Sequence, residues 1–342
     1  MKLQVVIITF FSVAVCLILL FTFITGFHDE GSLIATIITS RSVKIIIIFT
    51  VAFLSQFFGT MFLGTKVAIN TVSNLLDIDF LRSDITAIPM MICAAMGGAI
   101  IWDLVTWVLQ IPSSSSHAVV GGLLGAFLFH YGPSVICVKG LLFGVLLPLF
   151  TSPLIGFALG FLFYRLNQRC FCRCCANAKK PFCFSQITTS ALINAFQGSN
   201  DAQKSMGVFA LLWLAAPGSK GLGLHVSKNF ILWTALAISL GLLLGGMKMI
   251  RSVGTKIYSV RILHSMSAQT SALTVIISSS LLGFPISGTQ IVNSAILGVG
   301  AADRPNAVGW AYAKSMLIAW GTTIPASLVI SGSLYCLLQV IM

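Results

Sequence analysis

Apolar stretches of membrane-crossing length recur along this chain, separated by short polar segments. They fall at about 3–27, 45–65, 85–111, 112–138 and 140–164, and again at about 184–216, 229–247, 258–282, 283–302 and 306–340. About 20 consecutive apolar residues span the hydrocarbon core of a bilayer as a helix. The strands of a membrane barrel would instead alternate over about ten residues, so a β-barrel is excluded. The pattern predicts an all-α polytopic membrane protein. In such a chain the polar residues inside the apolar runs carry the information, because each one is costly to bury in lipid.

The most polar interruption is Phe196-Gln197-Gly198-Ser199-Asn200-Asp201-Ala202-Gln203-Lys204-Ser205-Met206-Gly207, inside a run from Pro181 to Ser219 that holds no other charge. A carboxylate at membrane depth costs about 2.5–3.5 kcal/mol on insertion scales, which makes Asp201 a candidate functional residue. The bland alternative is an aspartate at a helix end, paired with Lys204 near an interface. A second stretch, Gly26-Phe27-His28-Asp29-Glu30-Gly31, shares the pattern Gly-x-(Asn/His)-Asp and precedes the first by 172 positions. Pro112-Ser113-Ser114-Ser115-Ser116-His117 matches Pro285-Ile286-Ser287-Gly288-Thr289-Gln290 at nearly the same interval. Two unrelated motifs sharing one offset indicate an internal duplication.

Five segments per copy is an odd number, so the second copy must enter the membrane from the opposite side. The expectation is two inverted-topology repeats of about five membrane segments each, with a broken or re-entrant helix hairpin in each half. Residues 1–164 form the first transmembrane repeat, 165–183 a basic cytoplasmic linker and 184–342 the second repeat. Basic residues mark cytoplasmic loops. Those around Arg165–Lys180 and Lys248–Arg261, with the short Arg41–Lys44 loop, put both termini outside and the central loop in the cytoplasm of a multi-pass protein of the plasma or inner membrane. Retention of the first segment is expected, since its apolar run is long for a signal peptide and carries Asp29.

Composition adds little to this picture. Hydrophobic residues make up 57% and charged residues 8%, with a mean hydropathy of +1.00. The net charge of +12 suggests nucleic acid, but the basic residues sit in loops between apolar runs and set orientation instead. The run Cys170-Phe171-Cys172-Arg173-Cys174-Cys175 has no second pair at zinc-ligand spacing; juxtamembrane thiols or acylation targets fit better, and no metal site is expected.

Each serine-rich stretch opens an apolar segment with a proline followed by hydroxyl or amide side chains. The first N–H groups of a helix lack intrahelical partners and lie at the positive end of its dipole, so such a start suits an anion. Matching broken segments in two halves point to a transporter's midplane site. Surface capping by serine is the competing explanation for either stretch alone. Gln56 and Gln269 lie inside segments and fit interhelical hydrogen bonds. Asp103, flanked by Trp102 and Trp107, fits either packing or an interface.

These motifs, with Thr39-Ser40-Arg41 and Leu297-Gly298-Val299-Gly300, resemble the signatures of the PiT family of inorganic phosphate transporters, in family order from about residue 20 onward. The likeness is to the bacterial low-affinity branch. It implies uptake of inorganic phosphate, alone or as a metal–phosphate complex, coupled to a cation and requiring no cofactor beyond a co-transported H+ or Na+. The resemblance makes Ser114, Ser115, Ser116 and His117 one phosphate cradle and Ser287, Gly288 and Thr289 the other, with Asn200 beside them. It assigns Asp29 and Asp201 to cation coupling, with His28, Gln56 and Gln269 in attendance. Departures from the family pattern are Glu30-Gly31-Ser32, which adds an acid, and Gly288-Thr289-Gln290. Gln56 and Gln269 stand where animal relatives have glutamates.

Proton coupling is preferred over sodium coupling. Those two positions are neutral, and His28 brings an imidazole with an ordinary pKa of about 6.5 beside Asp29. Sulfate is the alternative anion, but phosphate still carries a proton to donate to intramembrane acceptors, which sulfate cannot supply. A receptor or assembly subunit on a transporter scaffold, and an enzyme using intramembrane aspartates, are disfavoured. The former lacks any large extramembrane domain, and the latter leaves the two serine stretches unexplained. Lipid is an obligatory partner, and a homodimer is compatible with the sequence.

Overall fold

The computed structural model describes residues 2–82, 85–109, 111, 113–171, 179–216 and 224–341. In the first half, α1 (Lys2–His28) and α2 (Gly31–Thr39) form one broken rod. They are followed by α3 (Ile45–Phe62), α4 (Lys66–Leu75), the one-turn α5 (Ile78–Leu81), α6 (Ile88–Val108) and α7 (Ser115–Tyr131). The short α8 (Val138–Gly140) runs through a π-helical turn, Leu141–Leu146, into α9 (Leu147–Phe171). The second half comprises α10 (Lys179–Trp213), α11 (Lys228–Lys256), α12 (Ile262–Leu282), α13 (Gly288–Asp303) and α14 (Trp310–Ile341). The expected 165–183 linker is therefore helical at both ends. Pro112 and the stretch Cys172–Cys175 lie outside the described residues.

Six helical stretches among the described residues are long and apolar enough to cross a membrane, at 8–39, 45–62, 88–108, 140–170, 228–245 and 310–340. Helix α10 is not one of them, because the Asn200–Lys204 motif interrupts its apolar character. Side chains follow the polarity of a membrane protein. Ile46, Phe62, Leu154, Leu244 and Val340 face outward, whereas Asp29, Glu30, Asp103, Asp201 and Lys204 are buried.

Segments 85–111 and 112–138 form a helical hairpin, α6–α7. Its open end is pinned where Asp77 N–H donates to Val135 O (2.8 Å) and Cys137 N–H to Leu75 O (3.2 Å). Helices α12 and α13 form the second hairpin, whose open end joins 257–264 to 303–309. There Gly309 N–H donates to Ile257 O, and Asp303 accepts from Tyr164 and Tyr258. The two hairpins open at opposite ends of the molecule. Ser42 Oγ donates to Gln186, and Gln186 Nε2 to Ile262 O. The turn before α3, the start of α10 and the mouth of α12–α13 thus share one end, and α3 leads to the other, where the first hairpin opens.

Packing repeats this exchange. Helix α7 lies on α14 of the other half and α13 on α9; α1 lies on α11 and α10 on α3; α6 meets α14 and α12 meets α9. Every such contact occurs twice with the halves interchanged, as inverted repeats require. Pro153 in α9 and Pro325 in α14 are separated by the same 172 positions as Asp29 and Asp201. The closest crossings use glycine. A Cβ on Gly125 of α7 would stand 2.2 Å from Leu328 O of α14, and one on Gly298 of α13 would stand 2.0 Å from Phe157 O of α9. In lipid, where apolar burial gives no drive between helices, such close approach is a main source of attraction.

Candidate functional site

The site forms where the α1–α2 break, the middle of α10 and the tips of both hairpins meet. Helix α1 ends at His28 because Asp29 and Glu30 form a turn before α2 resumes. The imidazole of His28 lies 2.6 Å, Nδ1 to Oδ1, from the Asp29 carboxylate. The other oxygen of Asp29 accepts from the backbone N–H of Ser115 at 3.2 Å, in the first turn of α7. A carboxylate thus occupies one of the free N–H groups expected to receive an anion.

The first tip is built by local capping. Ser114 is the N-cap of α7; its Oγ accepts from His117 N–H (3.4 Å) and lies 2.8 Å from His117 Nδ1. Ser116 Oγ donates to Ile286 O of the second tip at 2.9 Å. Ser115 Oγ and His117 Nε2 are buried with no protein partner.

The second tip turns at Gly283, whose left-handed backbone (φ 82°) closes α12 and lets Phe284 N–H bond Ser279 O at 2.9 Å. Ser287 then precedes α13 without a capping bond of its own. Gly288 lets α10 approach, since a Cβ there would stand 2.5 Å from Gln197 Cγ. Thr289 is buried beside it. Gln290 Nε2 lies 3.3 Å from His117 Nδ1. These two residues occupy matching positions in the two motifs, so the pseudo-twofold axis passes between them.

Helix α10 supplies the polar groups that hold the tips. Asn200 donates to Phe284 O (3.0 Å) and Ser280 Oγ (3.4 Å) and accepts from Ile286 N–H (3.2 Å), so its amide clamps the turn into α13. Asp201 accepts from Gln197 Nε2 at 2.8 Å through one oxygen and from Lys204 Nζ through the other. The expected pairing of Asp201 with Lys204 is therefore present. It is not at an interface or a helix end: the two side chains are 8% and 3% exposed, in mid-helix. Lys204 Nζ also donates to Ser116 Oγ (2.5 Å) and Ile286 O (2.6 Å), joining α10 to both tips.

Two other acids converge here. Glu30 is fully buried against the Asp201 carboxyl, with no N–H or hydroxyl donor to its oxygens. Asp103 is fully buried beside His28 and the Ser115 hydroxyl, so packing deep in the protein replaces the interface alternative. The two glutamines differ. Gln56 is buried on α3 beside Gly198, with both polar atoms unpartnered. Gln269 accepts from Thr189 Oγ1 (2.7 Å) and donates to Thr36 Oγ1 (3.1 Å), an interhelical bridge.

Reasoning from the sequence assigned no role to Gln197 or Gln290, and gave Lys204 only a pairing with Asp201 near an interface. A lysine in the middle of an apolar run was the available signal that it lies deeper. Two cavities, of about 610 and 390 Å3, flank the tips and are lined mainly by apolar groups; the first touches Gln290, and the second the turn at Ser279 and Phe284. Their lining suits acyl chains better than an anion.

Residues 25–331 match the model of the phosphate transporter family. The chain is 36% identical over 329 residues to a probable low-affinity inorganic phosphate transporter of Bacillus subtilis, covering 94% of this chain and 95% of that one. It is likewise 36% identical to one of Rhizobium meliloti, covering 93% of each. A solved structure described as the sodium-dependent phosphate transporter superposes with a TM-score of 0.83 over 98% of this chain and all of that one, at 21% identity.

Proposed function

This chain belongs to the phosphate transporter family, and from that membership we propose that it imports inorganic phosphate by proton symport. The anion is held at mid-membrane between the starts of α7 and α13. The observation that carries this reading is the junction of the two tips, where Ser116 bonds Ile286 O and His117 meets Gln290 across the pseudo-twofold axis. Two half-helix starts from opposite repeats bring free N–H donors to one point, and Ser115 Oγ and His117 Nε2 lie there without protein partners. Buried polar atoms without partners mark places where a ligand or water completes the bonding.

Alternating access follows from the hairpins. Each reaches the junction from a different end, so movement of one hairpin against its helix bed exposes the junction to that side alone. Ser114 and Asn200 serve as positioning residues, since their polar atoms shape the tips. Ser115, Ser116, His117, Ser287, Gly288 and Thr289 contact the anion.

A cation must accompany it. An anion entering an inside-negative cell climbs about 2.3 kcal/mol per charge per 100 mV. His28 beside Asp29 suits proton exchange, and neutral Gln56 and Gln269 leave fewer carboxylates for a sodium cage. The sodium dependence named for the structural relative supplies the opposing reading.

Purified protein in liposomes, given labelled phosphate or labelled sulfate under an imposed proton or sodium gradient, tests these points. Phosphate uptake should exceed sulfate uptake and respond to an inward proton gradient without sodium. Stimulation by sodium at constant pH, with no response to the proton gradient, would refute proton coupling. Equal uptake of sulfate would refute the choice of anion.

A further inference from the structure

We propose that the Lys204 ammonium is a tethered counter-charge occupying the cation position of the second repeat, so that only the first repeat exchanges a cation with solution. The inference rests on the transport reading above. It starts from a difference between two otherwise matching sites. Asp29 and Asp201 stand 172 positions apart, and the same interval carries Lys204 onto Ser32. Ser32 is buried with an unpartnered hydroxyl, while Lys204 brings a full positive charge to the equivalent place.

The environment of that charge is complete. An ammonium has three donors, and those of Lys204 go to Asp201, Ser116 Oγ and Ile286 O. These are a carboxylate, a hydroxyl and a carbonyl, three oxygens from three separate parts of the chain. Oxygens of these kinds also form sites for small hard cations. The ammonium is therefore bonded as a bound cation would be, but it cannot leave. It links Asp201 to both hairpin tips, and so contributes positive charge where the anion is proposed to sit.

The first repeat has the complementary departure. Its Glu30 corresponds to Ala202, and the Glu30 carboxyl crosses over to lie against Asp201 in the second repeat, which adds negative charge where Lys204 brings positive. All three donors of Lys204 are engaged with Asp201 and the hairpin tips. Asp29 meets only the His28 imidazole and the Ser115 N–H and has no lysine of its own, so it is the motif carboxylate left to an exchangeable cation. One repeat thus holds its cation covalently, and the other takes one from solution. The duplicated fold has become functionally asymmetric.

The test measures binding of inorganic phosphate to the purified full-length chain at a series of sodium concentrations and pH values. Lys204→Gln should weaken phosphate binding about tenfold or more, equivalent to about 1.4 kcal/mol. It should also add one power of dependence on sodium or proton concentration relative to wild type, because the vacated position then needs an exchangeable cation. Lys204→Arg, which keeps the charge, should add none. A Lys204→Gln protein that melts normally but binds phosphate as wild type does, or loses binding that no cation restores, overturns the inference and leaves Lys204 a strut between hairpins.

If Lys204→Gln does not fold, wild type alone decides. After allowance for phosphate's own titration, its affinity should depend on no more than one exchangeable cation, and a second-power dependence overturns the proposal. A wild-type chain that binds no phosphate under any condition removes the transport reading and this inference together, an outcome distinct from the others.

Discussion

Ser114 and Ser115 are neighbours in sequence with different work to do. Ser114 Oγ caps α7 and bonds His117, whereas Ser115 Oγ is buried without a protein partner. Ser114→Ala should therefore lower stability by about 1 kcal/mol, the usual cost of a lost N-cap, read from thermal unfolding in detergent. Ser115→Ala should leave the melting temperature unchanged and raise the half-saturating phosphate concentration about ten- to a hundredfold, for a lost hydrogen bond to a charged group of about 1.5–3 kcal/mol. Unchanged uptake by Ser115→Ala would remove that hydroxyl from the site. At this scale the sequence was informative wherever a polar group interrupts an apolar run, which is how Asp29, Asp201 and both serine turns stand out. It was uninformative about Lys204. A lysine three residues after an aspartate fits a snorkelling interface pair as well as a buried bridge. What distinguishes the two is a hydroxyl 88 positions away and a carbonyl 82 positions away. Gln269 shows the converse: the family resemblance aligned it with a coupling site, while its amide bridges Thr36 and Thr189.

Among the elements, the seams α7–α14 and α13–α9 depend on glycines that let backbones touch. Gly298→Leu would drive its Cβ into Phe157 O, and an overpacked interior of this kind costs about 1–3 kcal/mol. Gly321 in α14 has no atom within 4 Å of the position a Cβ would take, so Gly321→Ala should be neutral or stabilising by up to about 1 kcal/mol from helix propensity. Comparing the two melting temperatures checks the assignment, and equal losses would contradict it. The small-residue runs after each serine stretch were visible in sequence, but their partners were not. Hydropathy likewise marked 85–111 and 112–138 as two apolar segments. That they form a hairpin became clear only from the bonds that bring 75–77 to 135–137 at its mouth.

Across the whole molecule, the end at the mouth of α12–α13 carries the basic residues Arg41, Lys44, Arg261 and Arg304 besides the tyrosine-bound Asp303, whereas the end at the mouth of α6–α7 is mixed, with Asp77 and Asp79 against Arg82 and Lys139. Basic residues concentrate on the cytoplasmic side. In a cysteine-free background, Asp79→Cys should react with an impermeant maleimide in intact cells, and Arg261→Cys only after permeabilisation. The opposite pattern would invert the orientation argued from loop charges. The duplication itself was legible because Asp29, Asp201 and the serine turns kept a common spacing.

The exchange of partners between the halves also bears on how the chain is made. Synthesis runs from α1 towards α14, yet α7 packs on α14 and α1 packs on α11, helices made much later. The first half enters the bilayer before the partners of its small-residue seams exist, and these close only as α13 and α14 arrive. Residue order and assembly order are therefore uncoupled. The junction where the tips meet cannot mature until α13 has left the ribosome, so a nascent copy that stops short of α13 has no completed passage through which ions could leak.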